Sequence, residues 1–189
     1  MQTNGLVESI ERARCGSQDC RCSQPRAGEE TAPVLLLGLG NPLMADDGAG
    51  QKILARLESE AAEWGPRVEF VDGGTQGLAL LGKFEGRKAV LFLDAIRLGE
   101  KAGAVHLLHG DELMKMGGRA TTAHEGSAPD ILRALELLGD TPAEIALVGI
   151  EPEKLQTGIG LSPGVEGSIG LAAGLARMTV NRFVAAAVR

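Results

Sequence analysis

The most constraining feature of the chain is V-L-L-L-G-L-G, residues 34 to 40, a short continuous apolar run ended by glycines. A strand with one wet face alternates apolar and polar residues, whereas an unbroken run of this length reads as a strand covered on both faces, as in a parallel sheet. The pattern then recurs. V-E-F-V-D at 68 to 72, A-V-L-F-L-D-A-I at 89 to 96 and E-I-A-L-V-G-I at 144 to 150 predict further strands. Helical spacing appears between them, first at Ala49, Ile53, Leu54, Leu57 and Ala61, with Asp46 as the predicted N-cap. It returns as a short helix through Leu78, Leu81 and Phe84, then at Ile131, Leu132, Leu135 and Leu138. A long closing helix runs from Val165 to Val184. A-V-H-L-L-H, near 104 to 109, predicts a more polar, hairpin-like piece at a sheet edge. Strands alternating with helices predict an α/β fold: a mostly parallel sheet with helices on both faces, a three-layer sandwich in a single domain.

Residues 1 to 32 differ in texture, rich in Ser, Gln, Gly, Arg and Glu, and are expected to form a flexible tail ahead of a domain at 33 to 189. All three cysteines, Cys15, Cys20 and Cys22, sit there, at a spacing that matches no common zinc motif. The 189 residues carry 19 basic and 25 acidic side chains, net −6, which disfavours a partner made of phosphate backbone. No apolar run reaches the ~18 residues of a membrane span. Glu8 and Glu11 stand where a secretory leader would be basic, so a cytoplasmic protein, bound to neither membrane nor nucleic acid, is expected.

Ligands of open α/β sheets collect beyond the carboxyl ends of the strands. Three such places carry chemistry here. G-N-P-L-M-A-D-D-G-A-G, residues 40 to 50, follows the first strand and offers Asp46 and Asp47. Asp94 ends an otherwise apolar strand, where a carboxylate is costly to bury without a partner or a role. His124, in T-T-A-H-E-G, precedes a helix beginning near Ser127. Each has an ordinary structural reading: Asp46 as a cap, Asp47 as an acid favoured by a helix dipole, His124 as a turn residue. Together, two oxygens and one nitrogen make a ligand set for zinc, nickel or manganese. His106 and His109 read as edge-strand residues without a role.

Covalent and nucleotide chemistries lack their residues. G-L-G-N-P-L has Leu43 where a dinucleotide loop needs its third glycine, and there is neither a Walker-type loop nor a G-x-S-x-G elbow.

Taken in order, G-L-G-N-P-L-M-A-D-D-G-A-G, V-D-G-G-T-Q-G-L, L-D-A-I, an isolated His before a helix, L-V-G-I-E-P and G-L-S-P resemble the [NiFe]-hydrogenase maturation endopeptidases from about Val34 to the C-terminus. The resemblance implies an endopeptidase that removes a C-terminal extension from the hydrogenase large-subunit precursor after nickel insertion. It implies that Asp47, Asp94 and His124 are both catalytic and nickel-contacting, although some members carry Glu at the position of Asp47. Gly40 and Asn41, and the loop of Asp72, Gly73, Gly74 and Thr75, are expected precursor contacts. Nickel is the implied metal, carried by the precursor's cysteines or held as a cofactor, and the enzyme is expected to be a monomer. Water activated by a carboxylate and a carbonyl polarised by a metal both remain open routes. Two rivals stand beside this reading. One is a chaperone-like module that binds nickel and precursor without cutting. The other is a peptidyl-tRNA hydrolase, whose opening G-L-G-N-P is shared but whose tyrosine is absent from a chain with no Tyr.

Overall fold

Long apolar strands can be covered on both faces only if helices are shared between the two sides, and the chain alternates accordingly. The computed structural model describes residues 31–115 and 126–187. Strand β1 (Val34–Leu39) is buried along its whole length and lies between β2 (Val68–Gly74) and β3 (Ala89–Ala95), parallel to both. Beyond β3 comes β5 (Glu144–Ile150), also parallel, and at the edge β4 (Val105–His109), antiparallel to β5. The sheet order is therefore β2-β1-β3-β5-β4.

Alternate residues of each strand feed two cores. On one face Val34, Leu36, Leu91, Leu93 and Val148 pack against helix α1 (Ala49–Glu58) and the long helix α4 (Pro163–Ala187). On the other, Leu35, Leu37, Val90, Phe92 and Leu147 meet a 3₁₀ segment (Gly77–Lys83) and α3 (Ala128–Leu138). A short helix, α2 (Gly110–Lys115), adds Leu113 to that second core. Burying each such aliphatic side chain is worth about 1.5–3 kcal/mol, so burial on both faces fixes strand register firmly. The three-layer, mostly parallel architecture expected from the sequence is what forms.

Several local expectations are corrected. Helix α1 ends at Glu58, and Ala61 belongs to a separate 3₁₀ turn (Ala61–Glu63). The short helix expected through Leu78, Leu81 and Phe84 does form, as a 3₁₀ segment that ends at Lys83, one residue before Phe84. The edge piece pairs with β5, which follows it by some thirty-five positions, so it is no local hairpin. Cys15, Cys20 and Cys22 lie outside the described residues.

Candidate active site

Sheet order reverses between β1 and β3: the chain leaves β1 toward β2 on one side and returns to β3 on the other. Crevices of open α/β sheets lie at such a reversal, beyond the carboxyl ends of the strands. Asp94 is the penultimate residue of β3, one step past Leu93, which pairs with Gly38 of β1. Asp47 lies in a 3₁₀ turn (Ala45–Gly48) that leads into α1 and packs against β3.

Gly50 explains how closely that turn is seated. A β-carbon there would fall 2.3 Å from the carbonyl oxygens of both Leu39 and Leu93. The first turn of α1 thus rests on the ends of the two strands that flank the reversal, three residues after Asp47. Only glycine permits that approach.

Both acids are fully buried. Asp47 Oδ2 accepts a 2.8 Å bond from the Asn41 amide, and Asp94 Oδ1 accepts one of 2.8 Å from the Ala95 amide. Each carboxylate therefore accepts a backbone amide, Asp47 from the loop after β1 and Asp94 from the next residue of its own strand. Such oxygens suit a borderline divalent metal, but two carboxylates alone do not complete a site, and no group of three or more potential ligands is assembled among the described residues. His124 lies outside those residues.

Four of the six expected precursor-contacting residues are linked to Asp47 or to one another. Gly40, at φ +118°, sits so close to Asp47 that a β-carbon would meet its carbonyl oxygen at 1.9 Å. The Gly40 amide donates to Gly74 O at 3.0 Å, and the Gly74 amide donates to Asp72 Oδ1 at 3.0 Å. The structure brings Gly40, Asn41, Asp72 and Gly74 into one connected rim. Gly73 is wedged over Leu37 and Leu80, while Thr75 is exposed where β2 ends.

Gln51 was not anticipated. Its Nε2 donates to Gly40 O at 2.8 Å and to Asp72 Oδ1 at 3.3 Å, so one side chain ties the two loops together. Its place in the first turn of α1, four residues after Asp47, was the available signal.

Asp46 is not the cap of α1: that position is held by Gly48, with no side-chain cap bond. Its carboxylate is buried and reaches a distant segment. Oδ1 accepts from the Ser162 amide at 2.6 Å; Oδ2 accepts from the Glu153 amide, the Lys154 amide and the Ser162 hydroxyl at 2.8–2.9 Å. Burial by itself would push this carboxyl up, but the bonds from Ser162, Lys154 and Glu153 outweigh it and hold the pKa below its ordinary 3.8. Glu151 plays a similar part, accepting from the amides of Leu98 and Gly99.

Fold and site together define a doubly wound α/β protein with two buried acids at the reversal between β1 and β3. Comparisons with known proteins make the class specific. The family model for hydrogenase maturation proteases matches residues 52–177. The hydrogenase 2 maturation protease of Escherichia coli (strain K12) is 36% identical over 137 residues, 72% of this chain and 83% of that protein. The hydrogenase expression/formation protein HupD of Rhodobacter capsulatus is 34% identical, over 74% of this chain and 67% of its own length. Among solved structures, a hydrogenase maturating endopeptidase from E. coli superposes with a TM-score of 0.70 at 32% identity, covering 79% of this chain and 92% of that one. A [NiFe] hydrogenase maturation protease from Thermococcus kodakarensis gives 0.64 at 33%, covering 77% and 97%. The chain belongs to the hydrogenase maturation protease family, and its reaction class is peptide-bond hydrolysis. No helix among the described residues is long and apolar enough to cross a membrane.

Proposed function

We propose that this enzyme removes the C-terminal extension of a [NiFe]-hydrogenase large-subunit precursor once nickel is in place, acting as a cytoplasmic monomer. Asp47, Asp94 and His124 contact the nickel, which the precursor brings as part of the substrate. The observation that carries this reading is the pair of fully buried carboxylates, Asp47 and Asp94, beside the reversal of sheet order between β1 and β3.

Two acids that each accept a backbone amide keep a fixed orientation before substrate arrives, which lowers the entropy lost on engaging a metal centre. Two carboxylates and an imidazole suit nickel and leave coordination positions to the precursor's own ligands. Recognition of the metal then doubles as a test that the precursor is loaded. The rim of Gly40, Asn41, Asp72, Gly73, Gly74 and Thr75 contacts the polypeptide around the bond to be cut. A water that attacks the scissile carbonyl is activated at this carboxylate cluster or by the polarising metal.

The test is the intact mass of the large subunit after incubation with the enzyme. Nickel-loaded precursor is expected to lose a C-terminal peptide and nickel-free precursor to stay whole. Equal processing of both would remove the nickel check, and binding without any loss of mass would make the protein a chaperone.

A further inference from the structure

Gln51 engages only one of its two polar atoms. Its Nε2 donates to Gly40 O at 2.8 Å and to Asp72 Oδ1 at 3.3 Å. A carbonyl oxygen and a carboxylate oxygen accept hydrogen bonds, so the amide fits only one way round, with its nitrogen toward both. Oε1 is thereby turned away from them; it is buried, and no donor among the described residues reaches it.

An amide oxygen buried without a donor is costly, and native proteins rarely keep one that has no use. Its surroundings indicate the use. Oε1 lies 3.6 Å from where a β-carbon on Gly40 would stand, and the next residue, Asn41, holds Asp47 Oδ2 through its amide. The chain belongs to a family of peptide-bond hydrolases, so what reaches this rim is polypeptide, which carries an N–H donor at every residue except proline. The two bonds made by Nε2 are also unequal. The one to Asp72 is the longer, and the terminal torsion of a glutamine is broad, so the amide can turn out of that bond while Gly40 is still held.

We infer that Gln51 is a substrate-holding residue: as the precursor seats on the rim, its amide turns away from Asp72 and Oε1 accepts a hydrogen bond from a main-chain N–H of the precursor beside the bond to be cut. The inference rests on the proposed function for its occupant. The same turn relieves Asp72 Oδ1 of one of its two donors and leaves it the Gly74 amide. One side chain thus ties the rim together in the free enzyme and fastens the substrate backbone in the complex. Reading a main-chain N–H sets the register of the precursor strand against Asp47 and is indifferent to its side chains.

The experiment pairs a backbone change in the precursor with changes at Gln51. Nickel-loaded precursor is assembled by ligation with each main-chain N–H flanking the cut replaced in turn by an ester oxygen, and its Kd and cleavage are measured with the wild type, Gln51→Leu and Gln51→Glu. The first variant has no acceptor; the second keeps one and loses the donor to Gly40 and Asp72. With the wild type, one ester position is expected to weaken Kd about tenfold. The same ester should cost Gln51→Leu nothing further and cost Gln51→Glu nearly what it costs the wild type. Both variants break the tie between the two loops, so a purely structural Gln51 would make them respond alike. An ester scan in which no position depends on Gln51, or in which both variants lose the dependence together, overturns the inference. Kd is read without turnover, so a precursor that binds with the expected dependence and is not cut defeats only the protease reading. A wild type that does not bind the precursor overturns both.

Discussion

Asp46 and Ser162, 116 positions apart, are joined by two hydrogen bonds, 2.6 Å from the Ser162 amide and 2.9 Å from its hydroxyl. The contact fastens the loop before α4 to the turn that carries Asp47. It makes the immediate neighbour of a candidate catalytic acid a structural anchor, so adjacent aspartates divide two tasks between them.

Asp46→Asn is expected to destabilise the protein by about 3 kcal/mol, because an amide in place of Oδ2 faces two backbone N–H donors and a hydroxyl with a group that also donates. The pH dependence has a definite sign. A carboxyl whose pKa is lower in the folded state contributes stability above its unfolded pKa and loses it as pH falls through the folded value. Urea midpoints of the wild type should therefore drop below about pH 4, and those of Asp46→Asn should drop less. Equal acid limbs would contradict the anchor.

Gly50→Ala places a methyl 2.3 Å from two backbone carbonyl oxygens that belong to different strands and cannot both retreat. A loss of about 3 kcal/mol is expected, with α1 lifted from the sheet and the Asp47 turn displaced. Gly170→Ala, on a stretch of α4 where a β-carbon meets nothing within 4 Å, should instead gain about 0.5–1 kcal/mol. Thermal denaturation of the two variants checks both signs.

Gln51→Leu keeps the bulk of the side chain and removes the donor that holds Gly40 and Asp72. The rim should loosen without unfolding, and kcat/KM for precursor cleavage should fall about tenfold, carried mostly by KM. A fall confined to kcat with KM unchanged would place Gln51 in the chemistry rather than in positioning.

Much of this was legible in the residues. Unbroken runs such as V-L-L-L-G-L could only be strands buried on both faces, and Asp94 at the end of one stood out because carboxylates are scarce in such surroundings. What was not legible depended on contacts between distant segments. Asp46 has the residue type and position of a helix cap, and nothing local says that its partners are Glu153, Lys154 and Ser162. Gln51 looked like any polar residue on an amphipathic helix until Gly40 and Asp72 were found beside it.

The most direct measurement is the intact mass of nickel-loaded large-subunit precursor after incubation with the wild type, Asp47→Asn, Asp94→Asn and His124→Ala at equal folded concentration. If these three side chains act as one nickel-reading site, the wild type releases the C-terminal peptide and each variant slows its release by about a hundredfold or more. Processing at the wild-type rate by any of the three would contradict the account.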